Sequence, residues 1–165
     1  MINNNSQLTE ILSMLEPGKL PLSVFNQVAR LTVTPVVEIV PFIKKNEDIL
    51  RVLLLQRGAD DALWANQYHV PGAIVMATDK PNSFSDALNR IITTKLATYS
   101  PGEASFVDVR LCRVSRGLEV AIIFKVELTV SPSDSLMFDP LALPDNMIEG
   151  QAEFIEAALR DYQKT

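Results

Sequence analysis

The side chains best suited to chemistry in this sequence lie between Arg57 and Lys95. Arg57, Arg90 and Lys95 are cations of the kind that hold phosphate oxygens, the arginines through a planar fork and the lysine as a point charge. Trp64 and Tyr68 offer rings for stacking on a base, although aromatic core is the commoner role. His69 is the single histidine, so no second one is at hand to build a zinc site. It is either structural or an acid, base or ligand contact. Carboxylates are scarce here. No glutamate occurs between Glu47 and Glu103. Asp60 and Asp61 read as a solvated turn, and Asp79 and Asp86 are the remaining acids of the segment.

A second acidic group lies far along the chain. Glu149, Glu153 and Glu156 fall at i, i+4 and i+7 and share one face of a helix. A solvated surface is the plain reading; together with Glu38 they form the reserve for a metal site. Cys112 is the lone cysteine and reads as a small apolar residue in a strand.

Bulk composition narrows the classes. The 165 residues suit one domain with an ample core, and 47 % apolar with 21 % charged residues argues against wholesale disorder. A net charge of −5 without a basic run gives no field for nucleic acid, so none is expected as a partner. No stretch reaches the roughly 20 apolar residues that span a bilayer, so no membrane is expected. Residues Met1 to Asn5 lack a basic region followed by an apolar run, so no signal peptide is expected. With one cysteine there is no internal disulfide, and a cytoplasmic setting is expected.

The elements that position these residues follow from periodicity. Leu8, Ile11, Leu12 and Leu15 make one apolar stripe of a helix that Ser6 or Asn5 caps and Pro17-Gly18 ends. Leu22, Phe25, Val28 and Ala29 mark a second short helix. These two, within residues 1–31, form an N-terminal helical extension, either packed on the core or serving as an arm for a homodimer. From residue 32 to 165 the chain reads as one domain. Val33 to Ile43 is a strand, which Pro35 and Pro41 push toward an edge or an interruption. Ile49 to Gln56 is a strand covered on both faces, and residues 57–82 form a long irregular loop. Ser83 opens a helix, with Asp86 at capping-box spacing, and Phe84, Ala87, Leu88, Ile91, Ile92 and Leu96 on its apolar side. Two strands, Ser105 to Ser115 and Leu118 to Thr129, join at Arg116-Gly117. A loop over 131–145 leads to a last helix, from about Ile148 to Gln163, with Phe154, Ile155, Ala158, Leu159 and Tyr162 buried. Strands and helices alternate around one mixed sheet, giving an α/β class.

The segment from Ile49 to Leu96 resembles the Nudix family. The pieces are Leu53-Leu54-Leu55-Gln56-Arg57, Trp64, Tyr68-His69-Val70-Pro71-Gly72-Ala73 and Ala87-Leu88-Asn89-Arg90, in that order. The resemblance covers roughly residues 33 to 163 and implies a mixed sheet sandwiched between helices. The family's box runs Gly, five residues, Glu, seven residues, then Arg-Glu-aliphatic-x-Glu-Glu-x-Gly. Its helical glutamates share one face and hold a divalent cation against a diphosphate. Anchored on Arg90, the box places Ile91, Thr94 and Lys95 where those glutamates stand. Ala97 takes the closing glycine's place, Asn82 the loop glutamate's, and Pro71-Gly72-Ala73 the usual Pro-Gly-Gly. The loop to Asn82 is longer than the family spacing by three residues. The box is thus degenerate. Lys95 opposes a cation, since like unit charges at ~4 Å repel by about 4 kcal/mol at an effective dielectric of ~20.

The resemblance with its missing glutamates implies a Nudix-fold protein that has lost metal-dependent pyrophosphohydrolase activity. Such a protein would bind a nucleotide-like or phosphorylated small molecule in the old groove. The expected contacts are Arg57, Trp64, His69, Gly72, Arg90 and Lys95, with no catalytic residue, no metal ligand and no cofactor. Two alternatives stay open. One is an active hydrolase of nucleoside diphosphate derivatives with relocated ligands and Mg²⁺; the other is a structural or protein-interaction module. A groove lined by Arg57, His69 and Lys95 favours binding, whereas one filled by Ile91 and Met76 favours the structural reading.

Overall fold

A computed structural model describes residues 4–18, 20–46 and 49–164. Helices α1 (Asn4–Ser13) and α2 (Leu22–Leu31) come first, followed by strand β1 (Val33–Asn46). Strands β2 (Ile49–Leu53), β3 (Leu55–Gln56), β4 (Tyr68–His69) and β5 (Gly72–Ile74) lead to helix α3 (Ser85–Ile91). A π-helical turn (Ile92–Leu96) and a 3₁₀ turn (Ala97–Tyr99) extend α3. The chain closes with β6 (Ser105–Val114), β7 (Gly117–Glu127), β8 (Met137–Phe138) and α4 (Gln151–Tyr162).

The main sheet runs β6-β7-β1-β2-β8, with β5 also paired to β1, while β3 and β4 form a separate ribbon. β1 and β7 pair in parallel and the remaining pairs are antiparallel, so the sheet is mixed. Strand alternation sends successive side chains to opposite faces, and both faces are covered. Val37, Ile39 and Ile43 pack with Ile122, Phe124, Ala87 and Ile91 under α3. Val40 and Phe42 pack with Ala121, Ile123, Phe154 and Ile155 under α4. Each such buried Val, Ile or Phe side chain contributes about 1.5–3 kcal/mol, which is why β1 is mostly apolar from Val33 to Ile43.

The structure departs from several sequence expectations. β1 lies in the middle of the sheet, although Pro35 and Pro41 suggest an edge. Ile39 N–H donates away from β7, to Pro71 O, and Pro35 O accepts from Val75. Both prolines share that parity, so their missing N–H groups also point away from β7. Pro41 falls between the register of β5, which reaches Glu38, and that of β2, which begins at Phe42. No ladder bond is lost there. The run 49–56 breaks at Leu54 into two strands in different sheets. The loop over 57–82 contains β4 and β5, and that over 131–145 contains β8 and a 3₁₀ turn. α3 begins at Ser85, and α4 at Gln151. Ser83 Oγ accepts from Ser85 N–H, whereas Asp86 accepts from Lys80 N–H and closes no capping box. The turn between β6 and β7 is Ser115-Arg116, since Val114 pairs Gly117.

The N-terminal helices differ in packing. α2 buries Ala29, and its Phe25 ring lies 5.2 Å from the Arg116 guanidinium. Gly117, at φ +152°, lets the backbone of β7 approach α2 closely, because a Cβ there would lie 2.6 Å from Ala29 O. α1 leaves Leu8, Ile11 and Leu12 about half exposed. Among the described residues, no helix is long and apolar enough to cross a membrane.

Candidate ligand-binding site

A cavity of about 210 Å³ opens where β1, β5, the end of the α3 extension and the start of α4 meet. Its polar lining is Glu38, Arg57, His69, Lys95, Arg116, Glu119 and Gln151, with Trp64 and Gly72. An open groove of about 620 Å³ adjoins it and shares Arg57, His69 and Lys95.

The sequence delivers these groups through local geometry. Ile91 and Leu96 are both fully buried in one cluster. On an α-helix, residues five apart point about 140° apart; the wide π turn brings them onto one side. That same turn carries Lys95 to the cavity, where its Nζ donates to Gly72 O. Among the described residues Lys95 forms no ion pair, and burial, above all, lowers its pKa.

Trp64 is nearly buried, with Arg57 5.5 Å from its ring and Arg116 5.2 Å away. The indole therefore holds two guanidiniums in place. Arg116 is further fixed by Glu119, to which its Nε donates at 3.1 Å, and Arg57 lies 3.6 Å from Asp61. Tyr68 packs edge-on to Phe138 at 4.9 Å and is committed to the core.

His69 Nδ1 lies 2.7 Å from Val70 O. A carbonyl only accepts, so Nδ1 carries the proton and Nε2 keeps a lone pair. Burial first, and Arg57 next among the lowering causes, push the imidazole down to about 4, which leaves it neutral. Glu38 is displaced in the other direction. Burial, then Glu119, push its carboxyl up to about 8, against Lys95, Arg57 and Arg116.

Buried polar atoms ordinarily have partners. Among the described residues, three such side-chain atoms lack one: Asn26 Oδ1, Glu38 Oε2 and Arg57 Nε. Glu38 and Arg57 both line this cavity.

No family model matches the sequence, and no curated protein matches it. Solved structures do. A mutT/nudix family protein from Listeria innocua superposes with a TM-score of 0.65 at 16 % identity, covering 81 % of this chain and 96 % of that one. The NUDIX domain of Shewanella oneidensis NrtR, solved with ADP ribose, gives a TM-score of 0.54 at 16 % identity, over 93 % and 97 % of the two chains. The C-terminal domain of mouse MUTYH, solved with human PCNA, gives 0.57 at 12 % identity, over 81 % and 92 %. This chain has a Nudix-type fold.

Within the Nudix-type frame, the structure sorts the expected contacts. Arg57, Trp64, His69, Gly72 and Lys95 come together around the cavity. Arg90 does not join them. It clamps the loop instead, pairing both Asp79 oxygens and donating to Ile74 O at 2.7 Å. Arg90 holds the Asp79 carboxyl below the usual range. This pairing also relocates the loop's extra length. Five residues separate Ala73 from Asp79, as five separate the box's glycine from its loop glutamate, so the three added residues fall between Asp79 and Arg90. Asn82 is a turn residue at φ 63°, a conformation that asparagine tolerates better than most. Ile91 is packed in the core, and Met76 lies 39 % exposed; neither fills the cavity.

The reserve metal set is not assembled. Glu149, Glu153 and Glu156 are exposed, with Glu153 near Arg110 and Glu156 paired to Arg160. Glu38 is in the cavity. The side chains present do not fit a divalent cation, which needs several ionised oxygens. The box helix offers the cavity an ammonium, and the buried carboxyl of Glu38 keeps its proton near neutrality.

Arg116, Glu119 and Gln151 were missed by the sequence reading, and Glu38 was assigned to the wrong group. Gln151 gave no signal, since its role depends on α4 starting against Val70, just after β4. Arg116 read as a hairpin residue.

Proposed function

We propose that the protein binds a phosphorylated, nucleotide-like small molecule in this cavity and groove without hydrolysing it. The observation that carries this reading is the pair of buried polar atoms without a partner among the described residues, Glu38 Oε2 and Arg57 Nε, beside the ammonium of Lys95, which donates to Gly72 O and forms no ion pair among those residues. The cavity is large enough for a phosphoryl group, and the adjoining groove for the remainder of a nucleotide. Lys95 and Arg57 supply the positive charge that a metal ion supplies in a metal-dependent site. The fold likeness to a NUDIX domain solved with ADP ribose supports the ligand class.

Calorimetric titration with ADP, ADP-ribose and inorganic pyrophosphate in a chelator tests this reading. Saturable binding is expected, weakened at least tenfold by Lys95→Met. Absence of binding by all three probes sinks it. Phosphate release from the same compounds with Mg²⁺ or Mn²⁺ is expected to stay at the chelator level; metal-dependent turnover restores the hydrolase alternative. A second reading concerns α1, whose exposed Leu8, Ile11 and Leu12 stripe suits an arm for a homodimer. Sedimentation of the full chain beside Leu8→Ser/Ile11→Ser decides it, since only an arm gives a heavier wild type.

A further inference from the structure

The carboxyl of Glu38 is buried on β1 opposite Gly72 of β5 and lines the cavity. Its two oxygens are not equivalent. Val70 N–H donates to Gln151 Oε1 at 2.9 Å, which turns the Gln151 NH₂ toward Glu38 Oε1 at 3.5 Å. Oε1 is therefore the accepting oxygen. Oε2 meets no partner. Gly72 permits this placement, because a Cβ there would lie 2.2 Å from Oε2.

A buried carboxylate stays ionised only when donors or countercharges surround it. Glu38 has one distant amide, and Lys95 is turned to Gly72 O. Glu119 of β7 adds like charge. A neutral carboxyl bears its proton on one oxygen. With Oε1 facing an NH₂, the proton belongs on Oε2, which makes Oε2 a donor without an acceptor.

We propose that Glu38 determines specificity in the cavity: its Oε2–H donates to a phosphate oxygen of the ligand, and ionisation of Glu38 releases that ligand. This rests on the cavity being a ligand site. The groups facing Glu38 are Glu119 on β7, Lys95 after α3, Arg57 beyond β3, Arg116 in the β6–β7 turn and Cys112 on β6. His69 on β4 lines the same cavity, and Gln151 on α4 contacts the carboxyl. Of these, Lys95 also loses charge as pH rises, so a comparison of variants is needed to isolate Glu38.

ADP and pyrophosphate affinities measured from pH 6.5 to 9.5 in a chelator, for the wild type and Glu38→Gln, provide it. Glutamine is isosteric with the neutral acid and keeps an N–H donor at every pH. Between pH 7 and 9 the wild-type Kd is expected to rise roughly tenfold more than that of the variant, since one ionisation near 8 spans the window. Parallel slopes in the two proteins overturn the proposal and leave the ligand site standing. Failure of ADP, pyrophosphate and ADP-ribose alike to bind either protein at any pH removes both readings. Carbon-13 NMR of the side-chain carboxyls gives a ligand-free check. The signal missing from Glu38→Gln is expected to titrate near 8, and a midpoint in the ordinary carboxylate range overturns the proposal.

Discussion

Two groups of carboxylates in this molecule contrast sharply. Glu149, in the turn before α4, and Glu153 and Glu156 along the helix are regularly spaced and exposed. Glu38 and Glu119 stand 81 residues apart (119 − 38), one on each of two parallel neighbouring strands, and both are buried. The first group keeps its water and forms loose surface pairs that contribute little. The second has lost its water, so each carboxyl is neutralised by a tight partner, as Glu119 is by Arg116, or holds its proton, as Glu38 does. Regular spacing marked the inert group; burial marks the one with unusual chemistry.

The largest effect expected is on the pH dependence of stability. Glu38 titrates at about 4.5 in the unfolded chain and about 8 in the folded protein. Between those values the folded state holds the extra proton. Its contribution is therefore present below 4.5 and lost as pH rises toward 8, at about 1.4 kcal/mol per unit. Urea denaturation should show Glu38→Gln gaining on the wild type by ~3 kcal/mol or more between pH 5 and 8, while Glu153→Gln tracks the wild type throughout. Equal slopes for the two variants would dissolve the contrast. His69 acts oppositely. Its folded value near 4 lies below its ordinary 6.5, so its contribution is present above 6.5 and lost as pH falls to 4. Glu38→Gln should unmask that slope.

Next in size is Arg90→Ala. It removes the clamp on Asp79, whose side chain is 8 % exposed, and leaves a carboxylate and the Ile74 carbonyl without their donor. A loss of about 2–3 kcal/mol is expected by urea denaturation. Because Arg90 lies outside the cavity, ADP affinity under folded conditions should change less than it does for Lys95→Met. A larger loss of affinity from Arg90→Ala would place Arg90 back in the site.

Gly72→Ala should cost about 1–3 kcal/mol through overpacking against Glu38 Oε2. In the Glu38→Ala background the cost should largely vanish, and a double-mutant cycle measures that coupling. Additive costs would show that Gly72 serves some other contact. The smallest effect belongs to the exposed Glu156–Arg160 pair. Glu156→Gln should change stability by less than about 0.5 kcal/mol, and a larger loss would blur the distinction between the two groups.

Much of the frame was legible in the sequence. The apolar runs of β1 and β7 and the face of α4 follow from local periodicity. That signal survives folding because it reflects which side of an element meets the core. The short strands β3, β4, β5 and β8 left no such trace; two or three residues carry no period, and only their partners define them. The prolines of β1 misled for a related reason. Whether a missing N–H matters depends on what lies across the strand, and this is a property of the sheet. In the site, the family pattern led to Arg57, His69, Gly72 and Lys95. It misplaced Arg90, because the added loop length could not be located without seeing Asp79 meet the guanidinium.

Residue order and side-chain type alone fix the layered α/β class, the positions of the long elements and the absence of glutamates from the box segment. Which charges share a cavity is settled only when the chain folds. Glu38, Arg116 and Gln151 come from three elements far apart in the chain, and their chemistry follows from lost water and from one another. No local pattern encodes either.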